Sequence, residues 1–237
     1  MKKLKDSLLF VLFIVCCTHL QAKVYLVSAG IADYPGNKKD LRVSDNDAKT
    51  IAKLYDATKD ATVSLLINED ATQASLLSTM HTTFEEAGEN DIVIFYFSGH
   101  GSQGYIACYD GLLSYQHIFK MLKGCKANSK IIIVDACYSG KMRTNNQSTN
   151  NYKNQNVVLF LSSRTNERSQ ESRYMNSLFT IYLERGLRGG ADFNNDRSIT
   201  AREIYDFVHK GVIEASENTQ HPVMWGQYED NMKIIKW

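Results

Sequence analysis

Two apolar runs dominate the hydropathy pattern of this chain. Asp91–His100 reads DIVIFYFSGH and Lys130–Gly140 reads KIIIVDACYSG; each is rich in β-branched and aromatic residues and stops at a small, glycine-containing turn. Lys23–Ile31 (KVYLVSAGI), Thr62–Ile67 and Val157–Ser162 (VVLFLS) predict three further strands, and His221–Trp225 a last edge strand. Between them lie segments of helical spacing. Asn46–Ala57 carries Ala48, Ile51, Ala52, Leu54 and Tyr55 on one face. Thr72 reads as the N-cap of a helix that runs to about Ala87, with Leu76, Leu77, Met80 and Phe84 inward and Gly88 as its stop. Ser114–Leu122, Asn176–Leu187 and Thr200–Val212 predict three more helices, and the alternation at Tyr105–Tyr109 a small hairpin. Strands alternating with helices call for βαβ units, hence a mainly parallel sheet covered on both faces. Thr144–Asn156 (TNNQSTNNYKNQN) has no period and little to bury, which predicts a loop.

The two strongest runs end in a histidine and a cysteine. Catalytic groups gather at the carboxyl ends of parallel strands, so two neighbouring strands of this kind bring His100 and Cys137 to one crevice. A thiol with an imidazole is the minimum kit for nucleophilic catalysis, because the thiolate attacks and the imidazole exchanges protons near neutrality. Ser98-Gly99-His100-Gly101 and Asp135-Ala136-Cys137-Tyr138-Ser139-Gly140 resemble the His and Cys motifs of the caspase-like cysteine peptidases (peptidase C14 type), on the metacaspase-like bacterial side of that family. Leu41–Leu54 (LRVSDNDAKTIAKL) resembles the segment after the first strand of metacaspases. The resemblance spans roughly residues 23–230. It implies a caspase-like three-layer α/β/α sandwich with a mainly parallel six-stranded sheet, whose sixth strand is antiparallel.

The resemblance also implies roles. Cys137 is the candidate nucleophile and His100 the candidate acid and base. The backbone N–H groups of Gly101 and Cys137 are the candidate oxyanion donors. Ser44, Asp47, Ser98 and Asp135 match the metacaspase pocket for the residue before the scissile bond. Two carboxylates in a poorly solvated pocket are costly unless a cation joins them, which predicts cleavage after Arg or Lys. Asp47 has a second reading as a helix N-terminal charge favoured by the dipole, and Asp45 ranks behind it. Caspase-like chains are often cut after the cysteine motif, which makes Lys141, Arg143 and Lys153 candidate self-cleavage positions.

Composition narrows the picture. With 27 basic and 26 acidic residues the formal net charge is +1, which gives no footprint for nucleic acid. Only 2 prolines and 43% hydrophobic residues describe a globular chain. Lys2, Lys3 and Lys5, then the apolar stretch Leu8–Cys17, then Leu20-Gln21-Ala22, have the layout of a signal peptide over residues 1–22. Residues 23–237 then form the peptidase domain, exported to a periplasmic or extracellular space. The apolar run is short for a membrane span, and the anchored and lipoprotein alternatives (the latter through Cys16 or Cys17) rank lower. Cys108 and Cys125 read as small buried hydrophobes and not as a disulfide framework.

One motif stands apart. In Asp192–Glu203 (DFNNDRSITARE), Asp192, Asn194, Asp196, Ser198, Thr200 and Glu203 occupy the ligand positions of a calcium loop. Arg197 replaces the glycine of the sharp turn. The competing reading is a polar loop whose Thr200 caps the next helix, with Glu203 completing a capping box. The chemistry itself requires no cofactor, and calcium is the candidate ion. The leading expectation is an exported cysteine endopeptidase acting on a protein or peptide substrate. The alternatives are a caspase-like binding or regulatory domain without turnover, and a transpeptidase using the same dyad.

Overall fold

The computed structural model describes residues 22–36, 39–102, 104–137, 157–164, 167, 169–170, 175–226 and 228–236. Nearly all of the leader segment and all three candidate self-cleavage residues, Lys141, Arg143 and Lys153, lie outside the described residues.

The elements run β1 (Val24–Gly30), α1 (Ser44–Asp56), β2 (Ala61–Ile67), α2 (Gln73–Glu85), β3 (Ile92–Ser98), β4 (Gly101–Ser102), β5 (Tyr105–Cys108), β6 (Gly111–Ser114), α3 (Tyr115–Gly124), β7 (Ser129–Asp135), β8 (Val157–Leu161), α4 (Leu178–Arg185), β9 (Ser198–Thr200), α5 (Ala201–Ala215), β10 (Val223–Gly226) and β11 (Lys233–Lys236). The central sheet has the order β10-β8-β7-β3-β1-β2. Its pairs are parallel except for β10, which lies antiparallel on β8. The six-stranded, mainly parallel sandwich expected from the sequence is the observed fold.

Strand β3 shows why these runs form central strands. All seven residues are buried, and their side chains alternate between two cores. Val93, Phe95 and Phe97 pack with Leu76, Met80 and Phe84 of α2 and with Ile118 and Leu122 of α3. Ile94 and Tyr96 face the opposite layer, with Ile51 and Tyr55 of α1, Phe179 and Leu183 of α4, and Val208 and Val212 of α5. A strand buried on both faces reads as a continuous apolar run, and each large side chain buried this way contributes about 1.5–3 kcal/mol.

The end of β1 sets the position of α1. A Cβ on Gly30 would lie 2.2 Å from the Ser44 carbonyl oxygen and 2.6 Å from the Ala48 Cβ, so only glycine lets the first turn of α1 come down on the strand. Ser28 fastens the same approach, donating its hydroxyl to the Ala48 carbonyl at 2.9 Å. This contact carries Ser44 and Asp47 toward the carboxyl ends of β1 and β3.

Some boundaries differ from the sequence reading. Helix α1 starts at Ser44, two residues earlier than its periodicity. Helix α4 starts after Ser177, because the Ser177 hydroxyl accepts from the Thr180 N–H and caps it there. It gives way at Gly186–Gly190 to a wider turn with Gly189 at φ 110°. The Tyr105–Tyr109 hairpin is part of a three-stranded sheet, β4-β5-β6. The β9–β11 pair has no counterpart in the hydropathy reading.

Candidate active site

The cleft forms where four loops leave the carboxyl edge of the sheet. Strands β3 and β7 pair in register with Ser98 opposite Asp135, and the Gly99 N–H donates to the Asp135 carbonyl at 3.1 Å. Two residues further along each chain stand His100 and Cys137. Both line one cleft together with Ser44, Asp47, Ser98 and Asp135. The six side chains assigned to the dyad and the pocket thus meet in one place.

The imidazole is oriented by main chain. His100 Nε2 lies 2.6 Å from the Lys39 carbonyl oxygen, which can only accept, so Nε2 carries the hydrogen and Nδ1 holds the free lone pair. Tyr34 supports the histidine from the same loop: its hydroxyl accepts from the His100 N–H at 2.9 Å and donates to the Ala107 carbonyl at 3.1 Å. Its ring sits 4.8 Å from the imidazole. Burial pushes this phenol well above its ordinary pKa, so it stays a neutral donor. Sequence reasoning missed both partners. A carbonyl leaves no residue signature, and Tyr34 lies in the loop between β1 and α1.

The thiol stands on an equally fixed turn. The Ala136 N–H donates to Ser162 Oγ at 3.2 Å, and the hydroxyls of Ser162 and Ser163 reach the Ala136 carbonyl at 3.4 Å. Cys137 is half-buried, whereas Cys108 and Cys125 are buried. Burial pushes the Cys108 thiol up to about 12, and the Cys125 thiol is also raised. Among the described residues, Cys137 is therefore the accessible thiol. Gly101 stands close against this turn: a Cβ there would meet the Ala136 Cβ and the Cys137 carbonyl oxygen, both at 2.9 Å.

The floor of the cleft is a pair of buried carboxylates. Asp47 is fully buried and Asp135 nearly so. Asp47 accepts from Ser98 Oγ at 2.8 Å, from Asn176 Nδ2 at 3.0 Å and from the Ser177 N–H at 2.9 Å. Asp135 accepts from the hydroxyls of Ser169 and Ser177, and from Thr180 Oγ1 at 3.1 Å. Ser177 thus touches both acids, through its backbone and its side chain. Desolvation, and then the charge of Asp135, pushes Asp47 up to about 8 despite its three donors. Burial raises Asp135 as well, against its hydroxyl donors. The arrangement can hold a cation, whose charge would offset that desolvation.

Ser169, Asn176 and Ser177 were not singled out from the sequence. Ser169 follows β8 in a polar stretch without periodicity, and Ser177 falls inside the expected Asn176–Leu187 helix; its place immediately before an apolar helical run was the available signal.

The Asp192–Glu203 loop lies elsewhere and is committed to local bonds. Thr200 and Glu203 form a capping box on α5, and Glu203 also accepts from Asn194 Nδ2 at 3.0 Å. Arg197 takes the left-handed backbone, φ 62°, that position six of a calcium loop demands. Among the described residues no group of three or more His, Cys, Asp or Glu side chains is placed to hold a metal ion.

The caspase-domain profile of the peptidase C14 family matches residues 27–232. The chain belongs to the caspase-domain family. The crystal structure of protein GSU0716 from Geobacter sulfurreducens is similar in fold, with a TM-score of 0.67 and 18% identity over 87% of this chain and 94% of that one. No curated protein matches the chain. Membership supports a cysteine peptidase type of function in general, and with it a protein substrate. No helix among the described residues is long and apolar enough to cross a membrane.

Proposed function

We propose that this caspase-domain protein is an exported cysteine endopeptidase that hydrolyses peptide bonds after Arg or Lys. The observation that carries the specificity is the pair Asp47 and Asp135 on the floor of the cleft that also holds His100 and Cys137. A guanidinium or ammonium group entering there meets two carboxylates already stripped of water, where opposite charge is worth most.

In the proposed reaction the Cys137 thiolate attacks the scissile carbonyl carbon, and the charge on its oxygen is received by the N–H groups of Gly101 and Cys137. The C–N bond breaks as the His100 imidazolium gives its proton to the leaving amine. Water, deprotonated by the same imidazole, then attacks the thioester and returns the free thiol and a carboxylic acid. The Lys39 carbonyl steadies the imidazolium through the Nε2–H bond while Nδ1 exchanges the proton. Self-processing at Lys141, Arg143 or Lys153 belongs to the same specificity.

The test is a fluorogenic peptide panel with Arg, Lys, Asn or Asp before the scissile bond, with and without calcium. Cleavage confined to Arg and Lys supports the proposal. A preference for Asp, or equal cleavage of all four, overturns it. Wild-type protein cut after Lys141, Arg143 or Lys153 beside an intact Cys137→Ala protein supports self-processing, and an active, uncut wild type removes it.

A further inference from the structure

Gln220 is fully buried, lies in the turn between α5 and β10, and does not line the cleft. A buried amide is costly unless its donors and acceptor are matched, and here they are. Its Oε1 accepts from the Gln170 N–H at 2.9 Å, and its Nε2 donates to the Ser162 carbonyl at 2.9 Å and to Ser169 Oγ at 3.3 Å. Its own N–H donates to Ser216 Oγ at 3.0 Å. These partners fix the amide orientation: Gln170 N–H can only donate and the Ser162 carbonyl can only accept. One side chain therefore grips the segment after β8 at Ser162, Ser169 and Gln170.

The bond to Ser169 has a direction. Nε2 is a donor only, so Ser169 Oγ accepts there and its single hydroxyl hydrogen is left for Asp135, to which it donates. We propose that Gln220 is a positioning residue for the specificity pocket: it holds the segment after β8 and aims the Ser169 hydroxyl at Asp135. The inference rests on the basic-pocket reading for its functional meaning, while its structural content stands apart from any substrate. The ionisable groups facing the network are Asp47 from α1, the Tyr96 phenol from β3, and Glu167 paired with His221 at 2.9 Å beside Gln220. His100 lines the same cleft.

Gln220→Glu reverses the polarity at nearly constant shape. It keeps an acceptor for Gln170 and turns the Ser169 hydroxyl away from Asp135. The experiment has two arms, both including Ser169→Ala and the double variant. The first follows the aspartate carboxyl carbons by NMR against pH in substrate-free Cys137→Ala protein. Gln220→Glu and Ser169→Ala should each raise the Asp135 midpoint, and the double variant should raise it by less than the sum, because both act through one hydroxyl. An unmoved midpoint, or fully additive shifts, overturns the proposal. If Gln220→Glu does not fold, Gln220→Met takes its place in the same cycle, with the same outcomes deciding. The second arm measures Arg-peptide kinetics on protein with Cys137 intact: KM should rise about tenfold in Gln220→Glu with kcat within about twofold. A shifted midpoint with unchanged KM leaves the positioning of Asp135 standing and removes the basic pocket. A raised KM with an unmoved midpoint overturns the role of Gln220.

Discussion

If Asp47 and Asp135 receive a cationic side chain, binding must expel a proton. Asp47 is pushed up to about 8 by burial and by its neighbour's charge, so at neutral pH the empty pair retains a proton, which competes with the cation. At pH 7 about one molecule in ten has lost it, a penalty of ~1.4 kcal/mol and about a tenfold weaker Kd than at pH 9 or above; at pH 6 the weakening is about a hundredfold. The assay is the affinity of a non-covalent arginine mimic such as 4-aminobenzamidine, measured by calorimetry from pH 6 to 9 on Cys137→Ala protein. That background removes the Cys137 thiol, and the mimic's amidinium stays charged throughout. Two buffers of different ionisation enthalpy count the protons, with close to one released per ligand near pH 6.5. Asp47→Asn should bind with little pH dependence while His100 is still present. Equal affinity at pH 6 and 9 with no proton release, or a slope that survives in Asp47→Asn, would refute the reasoning.

The same pair sets a sign for stability. Both acids have folded-state pKa values above their ordinary 3.8, so the folded state binds more protons than the unfolded one. Their stabilising contribution is fully present below the unfolded pKa and is lost as pH rises through about 8. The thermal midpoint of the ligand-free Cys137→Ala protein should therefore fall between pH 5 and pH 8.5, and the arginine mimic should restore it at the upper end. A midpoint that climbs over this range, with a flat profile in Asp47→Asn, would contradict the assignment.

Cys137→Ala should abolish both peptide cleavage and labelling by a peptidyl thiol reagent, because Cys108 and Cys125 are buried; labelling that persists moves the nucleophile to one of them. Gly30→Ala forces a Cβ to 2.2 Å from the Ser44 carbonyl oxygen, and should lower the melting temperature and weaken arginine-mimic binding together. Unchanged binding in that variant would show that α1 does not set the pocket. Thr200→Ala removes the capping box on α5 and should cost about 0.5–2 kcal/mol in denaturant unfolding with cleavage rates unaltered.

What could be read from the sequence was what the strands carry. The apolar runs of β3 and β7 announce their own ends, so His100 and Cys137 are found by the pattern before any resemblance is invoked. Asp135, Ser98 and Asp47 followed from motifs fixed to those ends and to the start of α1. What stayed hidden lies in segments with no period. Ser169 and Gln170 come from the polar stretch after β8. Gln220 is a polar residue at a fully buried position, where hydropathy assigns the surface. The Lys39 carbonyl was invisible in principle, since any residue with that backbone geometry would supply it.

The supports of the dyad and of the pocket come from different parts of the chain. His100 and Cys137 are held by the Lys39 carbonyl, the Tyr34 hydroxyl, and Ser162 and Ser163 against Ala136. The carboxylates are held largely by later segments: Ser169 after β8, and Asn176, Ser177 and Thr180 at the start of α4. The β3–β7 register joins the two sets, placing Ser98 and Asp135 opposite each other two residues before His100 and Cys137, and Gln220 joins them again by donating to both the Ser162 carbonyl and Ser169 Oγ. Substitutions at Ser169 or Ser177 can therefore retune the charge and donors of the pocket while the Tyr34 and Lys39 contacts of the imidazole remain. Mutations of Tyr34 act in the opposite sense. A slip in the β3–β7 register damages both at once, because a shift of one residue turns every side chain of the strand to the other face of the sheet. The buried aromatic packing of Phe95, Tyr96 and Phe97 on both faces of β3 is what opposes such a slip. The fully buried strand that makes the site legible is thus also the element that keeps specificity and chemistry in one cleft.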